Sequence, residues 1–143
     1  MDLKFEAINP HNGENNGSFD FETKEQIADK ISRSHAAFLK HRETSVEDRV
    51  AKVLKLAEVM KARKQEIAET CSKEMGKCIT ESSGEVDGCV GAIPLYAESV
   101  KYIQNEEANI GAEKTYIKYE PMGSLFIIIP WNYPIFLPIM QCI

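Results

Sequence analysis

The pattern of apolar and polar positions predicts two amphipathic helices between residues 23 and 60. Thr23 and Gln26 form a capping box before the first helix, which is expected to end near Lys40. Ser45 is the expected N-cap of the second helix, whose apolar positions have the most regular helical period in the chain. We therefore expect the second helix to face a core. Its apolar positions are Val46, Val50, Val53, Leu54, Ala57 and Met60.

Further elements are predicted on both sides of these helices. The segments 5–8 and 18–21 flank a cluster of turn-forming residues, which indicates a hairpin. Lys64–Met75 is a predicted third helix that stops at Gly76. A fourth helix is predicted from about Thr80 to Ile103. It is expected to pack closely or to kink near its proline, because it contains Gly84, Gly88, Gly91 and Pro94.

The end of the chain is its most apolar part. A polar link at 104–111 and a half-exposed strand at Thr115–Tyr119 precede Pro121–Ile143, a segment without any charged side chain. A membrane-spanning tail is a minor alternative, because the four prolines of this segment each remove a backbone donor. The preferred interpretation is a buried parallel strand at 124–129, followed by a turn and a helix that begins near Pro134.

A parallel strand requires neighbouring strands, which crossover connections supply. We therefore expect the packing partners of the strand at 124–129 in sequence beyond Ile143. The whole inventory, four helices and one buried-type strand, predicts the first part of a larger α/β protein.

Composition and charge limit the classes of molecule that the chain is expected to bind. The chain has 143 residues, 43% of them hydrophobic and 27% charged, as is ordinary for a soluble globular protein. A net charge of -5, without a stripe of Lys or Arg, argues against nucleic acid and anionic membrane as partners. The amino terminus has neither a secretory signal nor the bias of a transit peptide, which favours a cytoplasmic protein, although a mitochondrial location stays open.

The four cysteines do not predict a metal site. Cys71, Cys78, Cys89 and Cys142 show no CxxC spacing and no histidine at ligand distance, so a zinc site has little support. Reduced, structural thiols are the preferred interpretation.

Five sequence blocks resemble, in order and spacing, the amino-terminal part of NAD(P)-dependent aldehyde dehydrogenases. The second and third blocks are most similar to the succinate-semialdehyde dehydrogenase type. Cys78 departs from the family pattern, which usually has proline after Gly-Lys, and Pro94 lies in a helix that is normally unbroken. The blocks are Ile8–Pro10 with Gly13–Glu14, Arg42–Arg49, Glu74–Lys77 with Glu81 and Glu85–Val86, Tyr119–Gly123, and Pro130–Pro134.

The resemblance implies a fold and a chemistry. Residues 1–143 would be the helical part and first strand of an incomplete Rossmann-like cofactor-binding domain of α/β class. NAD or NADP would be the cofactor, and a small-molecule aldehyde, succinate semialdehyde being one candidate, would be oxidised to the acid. In the family a cysteine thiolate attacks the aldehyde, hydride leaves to the nicotinamide, and water activated by a glutamate hydrolyses the thioester.

Four positions match functional residues of the family. Asn132 matches the asparagine whose side-chain amide donates to the oxyanion, and the alternative role is to cap the helix near Pro134. Ile128, Ile129 and Trp131 match positions that line the adenosine and ribose side of the cofactor, and the alternative is core packing.

The resemblance also bears on assembly. The strand region 114–121 matches the arm that pairs with a neighbouring subunit, and the alternative is an ordinary edge strand. We expect a homo-oligomer or a complementing chain as the protein partner.

The chain lacks the runs that carry the family's catalytic cysteine and glutamate, so no nucleophile is assigned to its cysteines. We expect the chain alone to be inactive. Two functions stay open: a fragment of an aldehyde dehydrogenase, and a non-catalytic structural or binding subunit derived from one.

Overall fold

The computed structural model describes residues 4–108, 110–111 and 114–143. Three helices from the middle of the chain form the core, and short strands lie at the periphery. The elements are β1 (Lys4–Ile8), β2 (Asn15–Asp20), α1 (Lys24–His41), α2 (Val46–Ala62), α3 (Lys64–Met75), α4 (Ile79–Ser99), a 3₁₀ turn (Val100–Tyr102), β3 (Glu106–Glu107), β4 (Tyr116–Ile117) and α5 (Phe136–Cys142).

The amino-terminal hairpin is confirmed. Strands β1 and β2 pair antiparallel, with Phe5 opposite Phe19. Their rings lie 6.5 Å apart, centroid to centroid, so the two side chains pack as a cross-strand pair. Gly13 has a φ of +76° in the connecting turn, a conformation that glycine adopts without steric cost. Phe21 was expected in the second strand but lies just beyond it.

The start signals of α1 and α2 act as predicted. The Gln26 amide donates to Thr23 Oγ1 at 3.2 Å, and the Thr23 amide donates back to Gln26 Oε1 at 2.7 Å. The Asp48 amide donates to Ser45 Oγ at 3.0 Å. Each side chain thereby satisfies a backbone donor that has no partner inside its helix.

The core lies between α2, α3 and α4, and α2 faces it as predicted. Ala57 and Met60 of α2 are buried and Val50 and Val53 are half-buried, whereas Val46 and Leu54 are exposed. The predicted face is therefore covered in part. The buried cluster consists of Ala57, Met60, Val86, Cys89 and Ile93, with α5 residues packed against it.

Helix α3 has the predicted bounds and stops at Gly76 with a φ of +68°. A side chain at Gly76 would place its Cβ 2.8 Å from Pro10 Cγ, so the residue is required both by the left-handed turn and by contact with the hairpin loop.

Helix α4 is shorter than predicted, because it ends at Ser99 and continues as a 3₁₀ turn. Pro94 lies inside the helix. A Cβ at Gly88 would lie 3.6 Å from the Phe136 ring, an ordinary contact distance, and a Cβ at Gly84 or Gly91 would meet nothing within 4 Å, so the close packing expected at these glycines is not observed.

The strand predicted over 124–129 is absent from the structure, where these residues belong to none of the helices and strands. A strand forms through hydrogen bonds to a neighbour, and the sheets of the described residues are the pairs β1–β2 and β3–β4. Apolar, β-branched side chains alone do not supply such a partner. Phe126 and Ile128 are accordingly 90% and 83% exposed.

The remaining predictions for this end of the chain are largely confirmed. Strand β4 lies within Thr115–Tyr119, and its partner β3 lies inside the segment predicted as a polar link. Helix α5 begins at Phe136, but the Leu137 amide already donates to the Tyr133 carbonyl at 3.3 Å, so its first turn includes Pro134. Among the described residues, no helix has the length and apolar character needed to cross a membrane.

Candidate active-site turn

Asn132 lies on the turn that leads into α5, and it is exposed. Its backbone carbonyl accepts a hydrogen bond from Lys77 Nζ at 3.1 Å. Helix α5 has Ile135 as its N-cap, and no side chain of its own amino terminus caps it. The alternative in which Asn132 caps α5 is therefore wrong for this structure.

The cap of α5 comes instead from Glu85 of α4. Its Oε1 accepts from the amides of Ile135 at 2.8 Å and Phe136 at 2.9 Å. These two donors have no partner inside the helix, and a carboxylate at a helix amino terminus is stabilised by both the hydrogen bonds and the helix dipole. A residue 50 positions away in sequence thus does the capping that a local side chain normally does.

Lys77 completes the arrangement. Its ammonium donates to Glu85 Oε2 at 2.5 Å and lies 4.4 Å from the centroid of the Tyr133 ring, in addition to its bond to the Asn132 carbonyl. We call Lys77 and Glu85 the buried pair, because their side chains are 16% and 1% exposed. The buried pair contacts the turn on both sides of Pro134.

The buried pair is ionised because its members support each other. Burial by itself would raise the pKa of Glu85, but the hydrogen bonds from Lys77, Phe136 and Ile135 outweigh it, and the pKa falls below its ordinary value. The hydrogen bond to Glu85 raises the pKa of Lys77 despite partial burial. The Glu85 carboxylate has three hydrogen-bond donors and the Lys77 ammonium has a carboxylate partner. The hydrogen-bonding and charge requirements of both groups are therefore met.

The candidate cofactor residues lie on the same segment as Asn132. Ile128 and Trp131 are 83% and 76% exposed, so core packing does not describe them in this structure. Ile129 is half-buried. The structure thus presents two exposed apolar side chains and the exposed asparagine on the segment that precedes α5.

The cysteines are free thiols, two of them buried and two exposed. Burial, with a further contribution from Glu85, raises the pKa of the Cys89 thiol to about 11, so Cys89 is not a thiolate at neutral pH. Cys78 is exposed, and a hydrogen bond with the Thr80 hydroxyl lowers its pKa. No cysteine is assigned as the nucleophile.

Sequence reasoning quoted Lys77 and Glu85 only as members of a motif and gave neither a role. A signal for Glu85 was present, because it shares one helical face with Ser82, Cys89 and Ile93. All four residues are buried. A carboxylate on an apolar helix face is seldom left unpaired, so the pattern alone called for a cationic or hydrogen-bonding partner.

The model of the aldehyde dehydrogenase family matches residues 2–143, which is nearly the whole chain. This chain belongs to the aldehyde dehydrogenase family. The match confirms the resemblance that the five sequence blocks carry.

Curated relatives point to one subgroup. The chain is similar to succinate-semialdehyde dehydrogenase [NADP(+)] 1 of Mycobacterium tuberculosis, with 29% identity over 133 residues. It is also similar to succinate semialdehyde dehydrogenase [NAD(P)+] Sad of Escherichia coli, with 28% identity over 130 residues. Each alignment covers 90% of this chain but only 29% and 28% of the relative, so the chain spans less than a third of their length.

Solved structures confirm the fold. Succinic semialdehyde dehydrogenase from Streptococcus pyogenes, in complex with NADP+, matches with a TM-score of 0.87 at 27% identity, over 94% of this chain and 30% of the other. Aldehyde dehydrogenase 21 from Physcomitrella patens, in complex with succinate, matches with a TM-score of 0.87 at 25% identity, over 98% and 30%. The α/β fold class, as part of an aldehyde dehydrogenase fold, is therefore confirmed.

Proposed function

We propose that this chain is the amino-terminal, cofactor-binding part of an enzyme that oxidises an aldehyde to the acid with NAD or NADP. Succinate semialdehyde is the proposed substrate, because the relatives from M. tuberculosis and E. coli are both named for it. NADP is the preferred cofactor, because it appears in both names and in the S. pyogenes complex.

One observation carries the proposal: Asn132 is fixed by its backbone and leaves its side chain exposed. The Asn132 carbonyl binds Lys77, and Glu85 rather than Asn132 caps α5. Among the described residues, the Asn132 amide makes no hydrogen bond, so its N–H groups are available to a substrate oxyanion. One such donor lowers the barrier to acyl chemistry by roughly 3 kcal/mol.

The residues beside Asn132 support a cofactor role. Ile128 and Trp131 expose apolar surface on the same segment, which suits the adenosine side of a nicotinamide dinucleotide. Ile129 is proposed to contribute through its backbone. The bound cofactor would supply the hydride acceptor, and the chain's own part is to bind it and to donate from Asn132. The nucleophilic cysteine and the hydrolytic glutamate are proposed to lie outside these 143 residues.

The second candidate is a non-catalytic structural or binding subunit that buries the apolar segment in an assembly. Met122, Phe126 and Ile128 are each more than 80% exposed, which favours a covering partner. The intact mass of the native protein separates the two functions: a species near 16.1 kDa supports the subunit, and a much heavier one supports the enzyme.

The catalytic proposal is tested in a fusion of residues 1–143 to the rest of the E. coli relative. We expect Asn132→Ala to lower the single-turnover acylation rate about a hundredfold or more while cofactor affinity stays within a few fold. The control is Asn16→Ala, an exposed asparagine outside the turn, whose side-chain amide donates to the Lys73 carbonyl at 3.1 Å. A normal acylation rate in Asn132→Ala, or a fusion that melts like the E. coli enzyme yet never acylates, would contradict the proposal.

A further inference from the structure

The turn that carries Asn132 makes no regular structure of its own. Residues 130–133 lie between the unpaired segment before them and the first turn of α5 after them, and Asn132 is exposed. Contacts from outside the turn help to fix its backbone. The described contacts that do so come from Lys77 and Glu85.

The two residues act on opposite sides of Pro134. Lys77 Nζ binds the Asn132 carbonyl at 3.1 Å, and Glu85 Oε1 binds the Ile135 and Phe136 amides at 2.8 and 2.9 Å. Because Lys77 and Glu85 also bind each other at 2.5 Å, the two sides of the turn are connected through one buried ion pair. A displacement of either partner therefore displaces the turn.

We propose that Lys77 and Glu85 are positioning residues, which orient the Asn132 amide toward the substrate oxyanion by fixing the backbone of its turn. The inference rests on the proposed function of Asn132 and extends it to two residues that do not touch the substrate. Oxyanion stabilisation depends on donors placed in advance of the reaction, so an error of about 1 Å in the turn lowers the rate by up to roughly a hundredfold.

A second ion pair, between α3 and α4, provides a control. Lys64 Nζ binds Asp87 Oδ2 at 2.5 Å, which is the same chemistry as the buried pair and again involves an acid of α4. Its side chains are 35% and 61% exposed, and neither of them bonds to the turn in the described structure. Asp87→Asn and Lys64→Met therefore alter charge without altering the turn.

The first test measures the turn in the 143-residue chain itself and needs no activity. Trp131 is the chain's single tryptophan, so all tryptophan emission comes from this turn, and the variants are compared at one protein concentration. We expect Glu85→Gln and Lys77→Met to shift the Trp131 emission and to speed hydrogen exchange at the Ile135 and Phe136 amides at least tenfold. Exchange and emission that match those of Asp87→Asn would overturn the proposal.

The second test is a double-mutant cycle on the acylation rate of the fusion. We expect Glu85→Gln and Lys77→Met to lower the rate by tenfold to a hundredfold when Asn132 is present. In the Asn132→Ala background they should lower it less than threefold, because the donor they position is gone. Lys77→Arg keeps the charge and should recover part of the loss.

The outcomes separate the two hypotheses. If Asn132→Ala acylates normally, the oxyanion role and the positioning role both fail. If Asn132→Ala is slow but the variants of the buried pair lower the rate equally with and without Asn132, the oxyanion role stands and the positioning role is overturned. Loss of rate in Asp87→Asn of the same size as in Glu85→Gln would also overturn it.

Discussion

Removal of the Glu85 carboxylate should destabilise the chain strongly, because the side chain is buried on the core-facing side of α4. Glu85 accepts three hydrogen bonds, from Lys77 and from the Ile135 and Phe136 amides, and its side chain is 1% exposed. The variant Glu85→Ala leaves a mostly buried ammonium without its carboxylate and two helix amides without an acceptor.

The magnitude follows from these partners. Breaking a buried ion pair by removing one member costs about 3–5 kcal/mol, because the other charge stays desolvated. Lys77 is 16% exposed and keeps the Asn132 carbonyl and the Tyr133 ring, which reduces that cost. The Ile135 and Phe136 amides, which lose their acceptor, increase the cost. We expect a loss of about 3 kcal/mol in the free energy of unfolding.

The assay is urea unfolding followed by helical circular dichroism, at the lowest protein concentration that gives a signal. The control is Asp87→Ala, which breaks the exposed Lys64–Asp87 pair and should cost about 0–1 kcal/mol. The double variant Lys77→Met/Glu85→Leu should recover part of the loss, because no buried charge remains. A Glu85→Ala loss no larger than that of Asp87→Ala would refute the reasoning.

Three further predictions concern the same chain. The folded pKa of Glu85 lies below its ordinary value of 4.5, so ionised Glu85 contributes its full stabilisation above pH 4.5. That stabilisation is lost as the pH falls through the folded pKa. An acid titration of Trp131 fluorescence should therefore show a transition that Glu85→Gln abolishes. The isolated chain should self-associate through its exposed apolar segment, and light scattering that shows a monodisperse monomer would contradict this. The isolated chain should also show no aldehyde-dependent reduction of NADP, and turnover that Cys142→Ser abolishes would show that a nucleophile was overlooked.

The segment 114–121 carries the prediction about assembly. We propose that the segment 114–121 is an arm for a neighbouring subunit, because β4 pairs with β3 on one edge only in the described sheets. Tyr116 opposes Glu107 as the pair without ladder hydrogen bonds, so its N–H faces the free edge, and Tyr116→Pro should reduce the fraction of oligomer in the fusion, as measured by light scattering. An unchanged oligomer would leave β4 as an ordinary edge strand.

The parts of the fold that sequence predicted are those set by nearby residues. The Thr23–Gln26 capping box, the Ser45 cap and the Gly76 stop each act within one helical turn, and all three have the predicted geometry. The absent strand at 124–129 shows the opposite case. Its residues have strand character, but pairing depends on a neighbour that local composition does not supply.

In the candidate site, too, only the residue with a local sequence motif could be predicted. Asn132 could be proposed as a site residue because its motif is contiguous in sequence. Lys77 and Glu85 were given no role, because their contacts with the turn span 50 or more residues and have no local pattern. Their type and burial face indicated a partner, but only the packing of α5 on α4 identifies that partner.

The capping of α5 by Glu85 has a consequence for the order of folding. The Glu85–Ile135 contact closes a loop of 50 residues, whereas α2, α3 and α4 follow one another closely and pack through connections of a few residues. Loop closure over a long stretch costs chain entropy before any contact compensates it, so the helical core should form first and the turn should dock afterwards. The segment that presents Asn132 would then acquire its geometry late, on a surface that the rest of the chain has already built.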